Sequence, residues 1–431
     1  MDHVARNGTQ VDATLRGVPV ALPMPIEAFL SSGAAPHRGE LSLPALTLDE
    51  AAFAGNMEFF FRYLKTHGAA VAPHAKTPMS PEIAAELRQA GAWGASVANV
   101  QQAAVLMQAG ERRLLLANEI GGKMAGQRLG QLLAAHPATE LFAFADSPAA
   151  VASLAIAAKV GGRTRLPVLV EIGAGRSGAR DEAAVAAVIE AVLAAGPTLE
   201  LRGVATYEGA VATADANATR AAIDGLMTRT AAALAAVRKV APAAELICSA
   251  GGSAYFDLVV DALSPLVATD GNATLLLRSG AIFFSDHGIY ARALSAVDSR
   301  GGLRVADETL SAAGGFRPAL RLWAEVLSRP ERGLAIAGFG MRDVSFDQGL
   351  PIVLSVYRDG TELSERQEGI TVEKLNDQHA FLRLSGDGDI QVGDILCLGI
   401  SHPCTCLDRW RAVFGLGPDR TAVRVLRTHF G

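Results

Sequence analysis

Residues 141–172 read LFAFADSPAAVASLAIAAKVGGRTRLPVLVEI and contain one complete β–α–β unit. The apolar run at 141–145 is followed by Ser147-Pro148, a capping hydroxyl before a proline suited to the first helical position. An alanine-rich helical segment then ends near Gly161, and a second apolar run covers 168–172. This order predicts two parallel strands joined by a helix.

The same alternation of strand and helix patterns recurs from about residue 45 to about residue 290. The β-like runs lie at 71–73, 94–97, 114–117, 141–145, 168–172, 203–206, 245–249 and 275–278. Eight strands alternating with helices over about 240 residues match an α/β fold of the (β/α)₈ TIM-type barrel class. A doubly wound open sheet is the alternative, although such a sheet would rarely need eight such regular units.

The secondary-structure pattern of the sequence changes after about residue 315. Short β-rich runs separated by turn residues replace the helical periodicity, for example at 353–357 and 392–398. We therefore predict a barrel domain over residues 45–310. Residues 311–431, completed by residues 1–44, are predicted to form a mostly antiparallel β domain.

Composition excludes several classes of protein. Half of the 431 residues are apolar and 19% are charged, which argues against global disorder. The net charge of -5 argues against a nucleic-acid or anionic-membrane partner. The N-terminus lacks an apolar signal region, no apolar run is long enough to span a bilayer, and four cysteines are few for this length. These features together predict a cytoplasmic enzyme.

The first barrel strand ends in Val71-Ala72-Pro73-His74-Ala75-Lys76-Thr77. Barrel active sites lie at the C-terminal ends of the strands, so this segment is expected at the mouth of the barrel. Residues two apart on a strand share a face, which would point His74 and Lys76 the same way. A lysine in such a mouth is desolvated and can serve as a Schiff-base amine.

Other chemically distinctive segments follow the later strands: Gly173-Ala174-Gly175-Arg176-Ser177-Gly178, Tyr207-Glu208-Gly209, Ser249-Ala250-Gly251-Gly252-Ser253, and Arg278-Ser279-Gly280 with Asp286 and Tyr290. Together with Pro-His-Ala-Lys-Thr, this ordered set resembles the D-threonine aldolase and D-serine dehydratase family. That family belongs to the alanine-racemase-like, fold type III enzymes that use pyridoxal 5′-phosphate (PLP). The resemblance covers most of the chain and implies that Lys76 carries the cofactor, with His74 beside it.

The glycine-rich loops have physical reasons to hold such a cofactor. Gly251, Gly252 and Ser253 offer backbone N–H groups and a hydroxyl where barrels commonly bind phosphate, and Ser279 with Gly280 would complete the cradle. The resemblance implies that Arg176 contacts the phenolic oxygen of PLP. It also implies that Tyr207 lies beside the cofactor ring.

The second informative segment is Ser401-His402-Pro403-Cys404-Thr405-Cys406. In an extended segment His402 and Cys404 would face one side, and imidazole with thiolate suits Zn²⁺. The resemblance supports a metal site, because D-serine dehydratase-like enzymes carry His-x-Cys here whereas D-threonine aldolase-like enzymes typically have His-x-Asp. Cys406 is predicted to be structural. The roles of His287 and His379 stay open.

These features predict a PLP-dependent lyase that dehydrates and deaminates D-serine or D-threonine, with a divalent metal, expected to be Zn²⁺, polarising the β-hydroxyl. The alternative is retro-aldol cleavage of D-threonine or 3-hydroxy-D-aspartate to glycine and an aldehyde. A racemase is less favoured because it needs no metal pair, and a non-catalytic PLP-binding protein is less favoured because it would typically lack the C-terminal β module. The resemblance also implies a homodimer, in which residues 338–347 approach the active site of the other subunit.

Overall fold

The N-terminal residues form short elements that lead into the barrel. The structure is a computed structural model and describes residues 10–363, 368–385 and 390–430. Residues 1–9 of the predicted N-terminal contribution lie outside this range. The first elements are β1 (Gln10–Val11), β2 (Met24–Pro25), α1 (Ile26–Ser31), β3 (Ala45–Asp49) and α2 (Glu50–Thr66).

Eight parallel strands follow in the described part of the chain: β4 (Ala70–Val71), β5 (Ala95–Val97), β6 (Arg113–Leu116), β7 (Glu140–Ala145), β8 (Leu166–Ile172), β9 (Leu199–Thr206), β10 (Leu246–Ala250) and β11 (Ala273–Leu277). The intervening helices are α3 (Pro81–Gln89), α4 (Val100–Gln108), α5 (Gly122–Ala135), α6 (Pro148–Val160), α7 (Glu182–Ala194), α8 (Ala216–Val240) and α9 (Phe256–Asp270). Strand β4 pairs with β11, and hydrogen bonds from Trp93 N–H to Val71 O (2.8 Å) and Ser96 N–H to Pro73 O (3.0 Å) close the ring. The predicted barrel is confirmed.

Local signals explain the ends of helix α6. The Ser147 hydroxyl accepts from the N–H of Ala150 at 3.3 Å, and Pro148 occupies the first turn, as predicted. Gly161 is the C-terminal cap but has a φ of -77°, whereas the next residue, Gly162, takes the left-handed conformation with a φ of +63°. The helix therefore ends where the sequence predicted, with the left-handed residue one position later.

The barrel interior is apolar and is filled from all around the ring. Its members alternate along the strands with residues that pack under the outer helices. The fully buried interior residues are Ala72, Leu115, Phe142, Phe144, Leu169, Ala205, Ile247 and Leu276. This plug closes the barrel and leaves its C-terminal mouth as the open end.

A connecting region leads to the second module: α10 (Ile289–Ser299), β12 (Leu303–Val305), β13 (Glu308–Leu310) and α11 (Ala312–Gly315). The module itself contains β14 (Leu320–Glu331), β15 (Leu334–Ala337), β16 (Ile352–Arg358), β17 (Thr361–Glu362), β18 (Ile370–Leu375), β19 (Ala380–Leu384), β20 (Ile395–Gly399), α12 (Pro403–Leu407), β21 (Ala412–Leu416) and β22 (Ala422–Arg427). Its strand pairs are antiparallel apart from β3 with β21. The predicted mostly antiparallel C-terminal module is confirmed.

Strand β3 belongs to this second module rather than to the barrel. It pairs antiparallel with β14 and parallel with β21, so residues 45–49 lie in the antiparallel sheet although they were predicted to open the barrel domain. Val11, Val18 and Phe29 pack in one cluster with Trp323 of that sheet. The N-terminal segment thus covers one sheet face. No helix in the described ranges is long and apolar enough to cross a membrane.

Candidate active site

The mouth of the barrel is lined by residues that continue the inward face of each strand. Because side chains two apart share a face, the residue two positions after an interior residue lies in the next layer towards the C-terminal end. That layer contains His74, Ala117, Asp146, Glu171, Tyr207, Ser249 and Arg278. It is mostly polar, unlike the apolar plug beneath it, and it lies at the end where barrel active sites are found.

Lys76 lies in the turn that follows the first barrel strand. His74 still forms a parallel bridge with Ser96, but the N–H of Met79 donates to Ala75 O at 2.8 Å and closes a turn around Lys76. The expectation that His74 and Lys76 share a strand face is therefore wrong, because strand alternation ends before Lys76. The lysine side chain is exposed, and within the described residues it has no ion-pair partner.

The loop after the last strand packs directly on this lysine turn. A Cβ atom at Gly280 would lie 2.5 Å from the carbonyl oxygen of His74 and 2.7 Å from its nitrogen. Close-packed interiors leave no room for such an atom, so the contact requires glycine. Gly280 and His74 are thus held together by backbone contact at the barrel mouth.

Three cationic side chains face the same place. Burial lowers the pKa of His74 well below its ordinary value, and the positive charges of Lys76, Arg278 and Arg176 lower it further. One ring nitrogen of His74, Nδ1, is buried and lacks a hydrogen-bond partner in the described part of the chain. A neutral imidazole among three cations is a setting that favours an anionic ligand such as a phosphate ester.

The glycine loop after β10 is held by a carboxylate. Glu208, which is only 1% exposed, accepts hydrogen bonds from the N–H groups of Gly251 at 3.0 Å and Gly252 at 2.6 Å. These are two of the N–H groups that the sequence suggested for phosphate. In the structure they are occupied, so Gly251 and Gly252 shape the loop but cannot donate to a phosphate while Glu208 stays in place.

Two backbone N–H groups beside that loop remain available for a phosphate. The nearby hydroxyl groups already have partners: Ser279 Oγ donates to the carbonyl oxygens of Gly251 and Gly252 at 3.1 Å, and Ser253 Oγ accepts from Ile282 N–H at 3.2 Å. In the described ranges, the backbone N–H groups of Ser253 and Gly280 have no acceptor. Two free N–H groups beside three cations fit the phosphate of PLP.

Arg176 lies above the ring of Tyr207. Its guanidinium carbon is 5.0 Å from the centre of that ring, and Nη2 is 3.7 Å from Oε1 of Glu171. Tyr207 itself is 37% exposed and packs over Gly209 and Gly252, where a Cβ atom would lie 2.5 Å and 3.1 Å from its side chain. The two predicted ring-binding residues are therefore neighbours on one wall of the mouth.

His402 and Cys404 lie close together and next to the lysine turn of the same chain. Their side chains are near enough to influence each other's charge, although Pro403–Leu407 is helical rather than extended as predicted. Cys404 Sγ lies 3.2 Å from Oγ1 of Thr77, the residue that follows Lys76. The folding of the two modules thus brings the predicted metal pair to the predicted cofactor lysine within one chain.

The pair supplies two potential metal donors. Asp347 Oδ2 lies 2.6 Å from Nδ1 of His402, and its other oxygen accepts from the Thr405 hydroxyl at 2.6 Å. Although burial opposes it, the neighbouring Cys404 and the hydrogen bond to Asp347 raise the pKa of His402 to about 9. No group of three or more His, Cys, Asp or Glu side chains arranged for a metal occurs in the described residues. An imidazole and a thiol fit a zinc ion as two ligands of an incomplete set.

No role in this arrangement is assigned to His379, Cys406 or His287. His379 is exposed, Cys406 is fully buried, and the His287 ring packs against Gly399. The segment 338–347 reaches the site of its own chain through Asp347, whereas the resemblance implied the site of the other subunit.

Four acidic residues at this mouth were not predicted: Glu119, Asp146, Glu171 and Glu208. Asp146 and Glu171 follow interior residues by two positions, so extending the strand alternation would have found them. Glu208 gives no such signal, because it lies in a 3₁₀ turn (Glu208–Val211). Its role depends on a loop from another strand.

Comparison with known proteins agrees with this geometry. A family model for the alanine racemase N-terminal domain matches residues 48–264, about half of the chain, and a serine dehydratase domain model matches residues 319–416. The chain belongs to the alanine racemase-like, fold type III family of PLP enzymes. The family expected from the sequence is confirmed.

Two curated relatives and one solved structure are similar over most of their length. A D-threonine aldolase of Arthrobacter sp is 27% identical over 83% of this chain and 85% of the relative. A 3-hydroxy-D-aspartate aldolase of Paracoccus denitrificans (strain Pd 1222) is 27% identical over 84% and 85%. The crystal structure of D-threonine aldolase from Filomicrobium marinum superposes with a TM-score of 0.73 at 25% identity, covering 90% of this chain and 95% of that one.

Proposed function

We propose that this fold type III enzyme is a PLP-dependent lyase that cleaves D-3-hydroxy amino acids between Cα and Cβ, releasing glycine and an aldehyde. The observation that carries the proposal is the contact between Thr77 and Cys404, which joins the cofactor lysine turn to the metal pair. A lyase of this kind needs both chemistries at one substrate, one at Cα and one at the β-hydroxyl. The aldolase relatives support cleavage over the dehydration that the sequence favoured.

The residues of the mouth fit the cofactor in distinct roles. Lys76 would bind it covalently, Arg176 and Tyr207 would contact its ring, and the free N–H groups of Ser253 and Gly280 would bind its phosphate. When bound, PLP withdraws electrons from the bond that breaks at Cα. The apolar plug beneath His74 keeps water away from the buried side of this site.

Lys76 and the metal pair would act on different groups of the substrate, Lys76 on Cα and the metal on the β-hydroxyl. The amine of Lys76 is the base or acid expected at Cα, where it returns a proton to the carbon that becomes glycine. A zinc ion held by His402 and Cys404 would act as a Lewis acid on the β-hydroxyl and help it lose its proton. Asp347 would hold the His402 ring through Nδ1, which leaves Nε2 for the metal.

Dehydration to a 2-oxo acid and ammonia is the second candidate. Two observations favour it: the metal pair is His-x-Cys, which resembles the dehydratases, and a serine dehydratase domain model matches residues 319–416. The same residues would then assist loss of the hydroxyl group instead of its proton. We also propose, from the family resemblance, a cytoplasmic homodimer that uses Zn²⁺.

The test is an assay of all products from one incubation. The purified enzyme with PLP and Zn²⁺ is given D-threonine, D-serine and 3-hydroxy-D-aspartate, with the L-enantiomers as controls. Glycine with an equimolar aldehyde, from the D-forms alone, is the expected result. Ammonia with an equimolar 2-oxo acid would replace cleavage by dehydration. No reaction with any D-3-hydroxy amino acid would refute the proposed function.

A further inference from the structure

Three acidic side chains lie at the C-terminal ends of neighbouring barrel strands. Asp146 directly follows β7, Glu171 is the second-last residue of β8, and Glu119 lies three residues after β6. Glu171 is only 2% exposed, and neither it nor Glu119 has a part in the chemistry above. Buried carboxyl groups are costly unless they are paired or hydrogen-bonded, so this group needs a physical explanation.

Glu119 and Glu171 form a pair of neighbouring buried carboxyl groups. Two such groups repel each other when both are ionised, so we expect the pair to retain one proton. Oε1 of Glu119 and Oε2 of Glu171 are buried and have no hydrogen-bond partner in the part of the chain that the structure describes. Burial and the neighbouring carboxyl groups of Glu171 and Asp146 raise the pKa of Glu119 to about 8. The pair therefore carries one negative charge at neutral pH.

The carboxyl group of Glu171 faces Arg176. Oε1 of Glu171 is 3.7 Å from Nη2 of Arg176, and no other carboxylate in the described residues lies within ion-pair distance of that guanidinium. Asp146 holds the same loop from the other side, since its Oδ2 accepts from Gly178 N–H at 3.1 Å. The loop is tightly folded, because a Cβ atom at Gly173 would lie 1.7 Å from Ser177 O.

We propose that Glu171, with Glu119 buried beside it, is a positioning residue that holds the guanidinium of Arg176 over Tyr207 for contact with the cofactor ring. The inference rests on the proposed PLP site. One negative charge orients Arg176 and balances its charge. A second charge would draw the guanidinium towards the pair and away from the ring.

A double-mutant cycle on cofactor binding tests this role. PLP is titrated into the cofactor-free protein, and the dissociation constant is measured by absorbance for wild type, Glu171→Gln, Arg176→Gln and the double variant. Glu171→Gln should weaken PLP binding about tenfold, the effect of about 1.4 kcal/mol, and should have no further effect when Arg176 is already glutamine. Glu190→Gln, an exposed carboxylate on α7, is the control and should bind PLP as wild type does.

The pH dependence separates the two members of the pair. Titration of Glu119 adds the second charge, so the dissociation constant of wild type should rise as pH increases through about 8. The groups that face Glu119 are Glu171, Asp146 and, through Glu171, Arg176. Glu119→Gln keeps a donor towards Glu171 but cannot ionise, so this rise should disappear.

Two results would overturn the inference. Fully additive effects of Glu171→Gln and Arg176→Gln would show that the pair does not act through the arginine. A lower unfolding midpoint with an unchanged dissociation constant would show a structural role only. The proposed function fails separately: wild type that binds PLP but cleaves no D-3-hydroxy amino acid refutes the function and leaves this cycle measurable.

Discussion

Replacing Glu208 with glutamine should destabilise the barrel, and the structure gives the size of the effect. The carboxylate accepts from Gly251 N–H at 3.0 Å and Gly252 N–H at 2.6 Å, and the side chain is 1% exposed. Glutamine retains one acceptor oxygen, and its amide group places a donor against the remaining N–H. A hydrogen bond to a charged group is worth about 1.5–3 kcal/mol, and an unsatisfied buried donor costs about 1–3 kcal/mol.

These contributions overlap, because one of the two hydrogen bonds survives and the cost of burying the carboxylate charge is removed. We expect the free energy of unfolding to fall by about 2–4 kcal/mol. Urea unfolding followed by circular dichroism measures this as a lower midpoint at an unchanged slope. Glu190→Gln is the matched control, since Glu190 is exposed, and should change the free energy by less than about 0.5 kcal/mol.

An unchanged midpoint for Glu208→Gln would refute this reasoning. It would mean that Gly251 and Gly252 do not depend on Glu208 for hydrogen bonding. Their N–H groups would then be free for phosphate, as the sequence alone suggested, and the assignment of the phosphate to Ser253 and Gly280 would lose its basis.

Three further predictions concern the lysine turn and the metal pair. Lys76→Ala should abolish the absorbance of the covalently bound cofactor and the activity, and a variant that retains both would place the cofactor elsewhere. His402→Ala and Cys404→Ala should keep that absorbance but lose most of the activity and the bound zinc, which metal analysis measures. His379→Ala is the control, because His379 is an exposed histidine. Full activity of the His402 and Cys404 variants in the presence of a chelator would contradict the Lewis-acid role. Gly280→Ala places a Cβ atom 2.5 Å from His74 O and should lower the free energy of unfolding in urea by about 1–3 kcal/mol. Gly333→Ala is the control and should be neutral, because the nearest atom to its Cβ would be Leu384 O at 3.9 Å. Equal effects of the two substitutions would contradict the proposed close packing.

The sequence predicted most of the fold because its signals are local. Alternating apolar runs, proline and serine at helix starts, and glycine at helix ends repeat through each β–α unit, and all eight barrel strands were located to within a few residues. β3 was assigned to the wrong module. Its partners, β14 and β21, lie more than 270 residues along the chain, and a five-residue strand sequence does not reveal where it will pair.

Local motifs likewise predicted part of the candidate site, and the rest was visible only in the tertiary structure. Short motifs predicted Lys76, Arg176, His402 and Cys404 as site residues, since each motif is contiguous in sequence. The tertiary structure alone showed that Glu208 occupies the glycine loop, 43 residues away, and that Thr77 meets Cys404 across 327 residues. Local sequence determines backbone conformation and the face on which a side chain lies. Which distant groups then meet depends on how the barrel and the antiparallel module pack, and that packing follows from the whole buried surface and not from any single motif.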